Sequence, residues 1–129
     1  MGIEVRFVDP ADPQNFANAT DDKTRAYYGE VLPNPSFEVF PISEVAEIGR
    51  PLGIPLIVDN TAAPVICKPF DHGAAVIIHS TTKFIGGHGT SIGGIIVDSG
   101  NFDWEAFPDR QPALNTPCLL YTSDAADDT

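Results

Sequence analysis

Two short runs of uninterrupted apolar residues, Leu56-Ile57-Val58 and Ala74-Ala75-Val76-Ile77-Ile78, constrain this chain most. A strand with one wet face alternates polar and apolar residues; a strand without alternation is buried on both faces, as in a parallel sheet covered by helices. Each run stops in polar residues, Asp59-Asn60-Thr61 after the first and His79-Ser80-Thr81-Thr82-Lys83 after the second. Ahead of the first run, Ile42, Val45, Ala46, Ile48, Gly49 and Leu52 share one helical face and Ser43, Glu44, Glu47 and Arg50 the other. Gly53 is placed to stop that helix, and Pro51 to shorten its last turn. Strands alternating with helical patterns predict an α/β fold. The same reading predicts strands at Ile3 to Val8, Arg25 to Glu30 and Ile92 to Val97. It predicts a helix from Asp12-Pro13 to about Ala19, an irregular Pro33-Asn34-Pro35, and a helix start between Phe102 and Phe107.

The 129 residues suffice for one domain, and 43% hydrophobic with 19% charged residues is a globular composition. A net charge of −11 argues against a nucleic-acid partner, while backbone amides and hydroxyls can still hold a small anion. No run nears the ~18 apolar residues of a membrane span, and Met1-Gly2-Ile3-Glu4 does not read as a signal peptide. Two isolated cysteines, Cys67 and Cys118, suggest reduced thiols. The expected compartment is the cytoplasm. His72, His79 and His88 have spacings that fit no common metal-ligand pattern, so no metal is expected.

Ligands of open α/β sheets sit in the crevice outside the carboxyl ends of the strands. There the two runs deliver a carboxylate, hydroxyls and an amine, followed by Gly86-Gly87-His88-Gly89, where backbone can approach a ligand closely. This set suits pyridoxal 5′-phosphate (PLP), which requires a Schiff-base lysine and an acid facing its pyridine nitrogen. Lys83 is the candidate lysine and later the base that moves protons, Asp59 the acid, and Ser80 and Thr82 the phosphate donors. Taken singly these residues have plainer roles: a strand-end aspartate caps a turn, hydroxyls fill turns, and a lysine is solvated. Their grouping at the ends of two buried runs is what favours a site.

Val58-Asp59-Asn60-Thr61, Asp71-His72-Gly73-Ala74 and His79 through Gly89 together resemble the Cys/Met-metabolism family of PLP enzymes, over about Gly2 to Pro117. That resemblance implies the large PLP-binding domain of the fold-type I, aspartate aminotransferase-like enzymes: a mainly parallel sheet with flanking helices. It implies the same roles for Lys83, Asp59, Ser80 and Thr82. Glu30-Val31-Leu32-Pro33-Asn34-Pro35 resembles the family's Glu-x-x-x-Asn-Pro stretch, which adds Asn34 beside the cofactor ring; a turn residue before proline is its plainer reading. His88 to Gly94 and Val97 to Trp104 look most like the O-acetylhomoserine sulfhydrylases. The implied reaction is γ-replacement on O-acetyl-L-homoserine with sulfide, and the implied parent a homo-oligomer, a dimer of dimers. Synthase and lyase chemistries of the same family are the alternatives.

The resemblance also implies parts that do not occur in these residues: an upstream phosphate loop, a tyrosine that stacks on the cofactor, and a small domain whose arginine grips the substrate. A partial large domain over 1–117 and a foreign or unstructured tail over 118–129 are therefore expected, and the chain alone is expected to be inactive and to hold PLP poorly. Ser80-Thr81-Thr82-Lys83 also matches the Ser-x-x-Lys motif of β-lactamases, but its companion motifs do not occur and Gly86-Gly87 would spoil the required helix. The P-loop of a nucleotidase is likewise missing. A non-catalytic acidic binding protein is the remaining rival; it predicts no trapping of Lys83 by PLP.

Overall fold

The computed structural model describes residues 2–116. Four strands, β1 (Tyr27–Glu30), β2 (Leu56–Asp59), β3 (Val76–Ser80) and β4 (Gly94–Asp98), form one sheet in the order β1-β2-β3-β4. β1, β2 and β3 run parallel, and β4 returns antiparallel against β3. The chain is thus α/β with a mostly parallel sheet, and the carboxyl ends of β1, β2 and β3 come to one edge.

Two helices, α1 (Gln14–Ala19) and α2 (Ile42–Gly49), belong to the core on one face of the sheet. Asp12 Oδ1 accepts the Gln14 N–H at 2.9 Å, so the aspartate ahead of Pro13 satisfies one otherwise unpaired donor of α1. The apolar stripe of α2 buries Ile42, Val45 and Ala46 against Leu56 and Val58 of β2. Val45 and Val58 are fully buried, and each such side chain contributes about 1.5–3 kcal/mol of transfer free energy. Phe16 locks this layer with edge-on contacts to Tyr27 and Phe40, ring centroids 5.4 and 5.9 Å away. α2 tightens into a 3-10 turn at Arg50–Leu52, where Pro51 falls, and ends at Gly53 in the left-handed region (φ 68°).

Three expectations are corrected. Ile3 to Val8 alternates like a strand but pairs with nothing among the described residues, and Phe7 is 94% exposed. Alternation supplies a face, not a neighbouring ladder. Phe102 to Phe107 is a series of bends: Asp103 Oδ1 accepts the N–H groups of Glu105 and Ala106 as a helix cap would, but Pro108 disfavours helical backbone at Phe107 and no helix continues from the cap. The helix comes later and is one turn, α3 (Pro112–Asn115). Finally, the described residues cover only one sheet face. Tyr28 and Ile96, on the other, are 57% and 73% exposed. The tail expected over 118–129 lies outside the described residues.

Candidate active site

Side chains alternate across a strand, so the ladder register fixes what shares a face. Glu30 pairs with Asp59 and Asp59 with Ile78, which puts Glu30, Asp59, Ile78 and, two residues on, Ser80 on the uncovered face. Tyr28 lies diagonally from Asp59 on the same face, and its hydroxyl donates to Asp59 Oδ2 at 3.4 Å. Asp59 Oδ1 accepts the Thr61 N–H at 2.9 Å. The predicted acid and the first predicted phosphate donor are therefore brought to one face at one end of the sheet.

Beyond Ser80 the chain enters a wide helical turn, Thr81–Ile85, broken at Lys83 (φ −90°, ψ −117°). Gly86 N–H to Thr81 O and Gly87 N–H to Lys83 O, both 2.8 Å, close the turn. A Cβ on Gly86 would meet Thr81 O at 2.7 Å, so this approach admits glycine alone. Lys83 is exposed, and the ion pairs among the described residues, Arg6 with Glu4 and Asp21, do not engage it. Its amine is free to bond. Thr82 folds back on the start of the next strand: Oγ1 accepts the Gly93 N–H at 2.9 Å and donates to Gly93 O at 3.2 Å. Gly93 O also accepts the Thr81 N–H at 3.0 Å, so the Thr82 hydroxyl proton can turn to a phosphate without orphaning that carbonyl. A shallow cleft of about 230 Å³ lies inside this loop, lined by Thr81, Ile85, Gly86 and residues 89–93. Neither Lys83 nor Asp59 lines it.

Asn34 occupies an exposed turn beyond β1, at the same edge of the sheet, and makes no hydrogen bond to the other four among the described residues. The donors and acceptors present suit PLP: an amine without an ion pair or hydrogen bond among the described residues, a carboxylate with one oxygen held by an amide, and hydroxyls on adjacent backbone. The three histidines do not combine with other side chains into a metal-binding group among the described residues.

Sequence reasoning missed Tyr28, Glu30 and Thr61 as parts of this surface; only the polar stop after Val58 hinted at Thr61. Burial, and then the Asp59 carboxylate beside it, push both the Tyr28 phenol and the Glu30 carboxyl up from their ordinary ranges. For Glu30 the folded state binds the proton more tightly than the unfolded one, so stability is lost as pH rises through the carboxylate range. Glu30→Gln removes that loss. Its urea midpoint should exceed that of the parent at about pH 7 and match it at about pH 4; equal midpoints at both would disprove the upward shift of Glu30 by burial and the Asp59 charge.

Among the described residues no helix is long and apolar enough to cross a membrane. The family model for the Cys/Met metabolism PLP-dependent enzymes matches residues 1–114. The O-acetyl-L-homoserine sulfhydrylase of Leptospira meyeri is 51% identical over 105 residues, 81% of this chain and 24% of that protein. The homocysteine/cysteine synthase of Saccharomyces cerevisiae is 45% identical over 123 residues, 94% of this chain and 28% of that one. A solved O-acetylhomoserine (thiol)-lyase of Campylobacter jejuni, which carries N′-pyridoxyl-lysine-5′-monophosphate, superposes with a TM-score of 0.86 at 36% identity, over 93% of this chain and 30% of its own. The chain thus spans about a quarter of the length of the curated relatives it matches.

Proposed function

Because the chain belongs to the Cys/Met metabolism PLP-dependent enzyme family, we propose that it is the lysine-bearing part of an O-acetylhomoserine sulfhydrylase, which replaces the acetate of O-acetyl-L-homoserine with sulfide to give homocysteine. The observation that carries this reading is the placement of Asp59 and Ser80 on one face at neighbouring strand ends, with Lys83 three residues further on an exposed turn. The identity to the Leptospira meyeri protein supports the choice within the family.

Lys83, Asp59, Ser80, Thr82 and Asn34 would hold the cofactor, which supplies an electron sink for a carbanion beside the substrate nitrogen. Asp59 would keep positive charge on the ring nitrogen through its carboxylate. Ser80 and Thr82 would donate their hydroxyl protons to the phosphate oxygens, and Asn34 would lie beside the ring. Lys83 Nζ, when free, would take the proton from the substrate Cα, hand it on to the cofactor, and as the free amine again take one from Cβ, so that the γ-substituent could leave. Residues 1–117 would form part of the large cofactor-binding domain, with 118–129 outside it. A cytoplasmic, homo-oligomeric parent, a dimer of dimers acting on an amino acid and sulfide with neither nucleic acid nor membrane as partner, completes the proposal; the acidic charge agrees with it.

A chimera tests the activity. Residues 2–116 replace the matching segment of the Leptospira meyeri protein, and acetate and homocysteine are measured from O-acetyl-L-homoserine and sulfide. Stoichiometric formation of both is expected. Release of a 2-oxo acid and ammonia instead would assign an elimination chemistry and overturn the sulfhydrylase reading.

A further inference from the structure

The ladder between β2 and β3 ends at Asp59 and Ile78, yet the two strand ends do not part there. Asn60 N–H donates to Ile78 O at 2.9 Å. His79 Nδ1 lies 3.1 Å from Asn60 O; a carbonyl only accepts, so the imidazole carries its proton on Nδ1. Ser80 N–H then donates to Thr61 Oγ1 at 2.8 Å, while the Thr61 N–H holds Asp59 Oδ1. Where parallel strands diverge, backbone donors lose their ladder partners and must find others. One threonine meets this need from both sides, with its side chain for β3 and its amide for the carboxylate at the end of β2.

We propose that Thr61 is a positioning residue that sets the spacing between Asp59 and the turn carrying Lys83, and through it the affinity of this surface for PLP. The proposal rests on the reading of Asp59, Ser80 and Lys83 given above. The turn is anchored at two points: to β2 through the Thr61 hydroxyl, and to β4 through the bonds of Thr81 and Thr82 with Gly93. With a methyl in place of that hydroxyl the Ser80 N–H has no acceptor among the described residues, and β2 then holds β3 no nearer the turn than His79, through Asn60 O. The spacing between Lys83 and Asp59 would then be held less tightly.

The test uses the chimera described above, which supplies the missing phosphate loop and stacking tyrosine, with Thr61→Val, which keeps the shape, and Thr61→Ser, which keeps the hydroxyl. Amide exchange at Ser80 should accelerate about tenfold in T61V and stay near the parent rate in T61S. In PLP titrations quenched with borohydride, the concentration that half-saturates the Lys83 adduct should rise about tenfold in T61V and return in T61S. Adducts on Lys23 and Lys68 serve as internal references and should not change. Amide protection at Val58 reports the core; if T61V loses it, Thr61→Cys, a weaker acceptor, replaces it. Unchanged exchange at Ser80, or faster exchange with unchanged half-saturation at Lys83, overturns the proposal. If the parent chimera labels Lys83 no better than Lys23 and Lys68, the assignment of Lys83 itself fails and the proposal with it. K83A distinguishes that case, since it removes the adduct only where Lys83 was its site.

Discussion

Lys83→Ala in the chimera should abolish the borohydride-stable pyridoxyl adduct at the active site and lower turnover by at least about 10³-fold. The size follows from the two tasks assigned to one amine. It is the nucleophile that retains the cofactor, and it is the base that moves two protons; either loss alone is worth about two to four orders of magnitude. Stability should change by less than about 0.5 kcal/mol, because Lys83 is exposed and outside the core. Lys83→Arg separates charge from chemistry: a guanidinium keeps the positive charge but is not deprotonated and cannot take over as nucleophile or base. It should be as inactive as the alanine variant. An active K83R enzyme would show that only charge is needed there, and peptide mass after reduction shows directly whether the adduct resides on Lys83.

Asp59→Asn should lower turnover of the chimera by about 10- to 1000-fold with the fold intact. A facing carboxylate is worth about one to three pKa units to a bound cation, and each unit is about 1.4 kcal/mol. The substitution is chosen because so little else changes. Asn can still accept the Thr61 N–H with its Oδ1, and its Nδ2 can donate to the Tyr28 hydroxyl oxygen where Asp59 Oδ2 accepted from it, so the loss is charge and not shape. Asp59→Glu keeps the charge but displaces it by one methylene, and should fall between the two. Steady-state kcat for the three proteins is the measurement; an asparagine variant within twofold of the parent would remove Asp59 from the role of ring-nitrogen partner.

The elements that proved legible were those with strong periodic signals. Val45 and Ala46 mark the stripe of α2, and the unbroken apolar runs mark β2 and β3, because burial leaves no place for polar residues there. The polar stops after Val58 and Ile78 exposed Asp59, Ser80 and Lys83 for the same reason. What stayed hidden depends on contacts distant in sequence. Nothing local shows that Ile3 to Val8 pairs with no strand among the described residues, that Tyr28 would lie diagonally from Asp59, or that Thr82 would turn back onto Gly93, eleven residues on. The antiparallel return of β4 is equally nonlocal, since Ile92 to Val97 reads as a strand in either direction. Thr61 was visible as a residue but not as a link, because its acceptor role appears only when Ser80 is brought beside it.

The two bonds between Thr82 and Gly93 cinch a ring of chain whose far side, from Phe84 to Ile92, projects into solvent. Geometry at the neck of such a ring is insulated from events along its rim. Closure entropy grows only as about (3/2)RT ln n, so doubling the rim costs about 0.6 kcal/mol. The part of that rim beyond Gly87, from His88 to Ile92, can therefore change in length at little cost, while Gly86 and Gly87 close the turn and the amine beside them keeps its address.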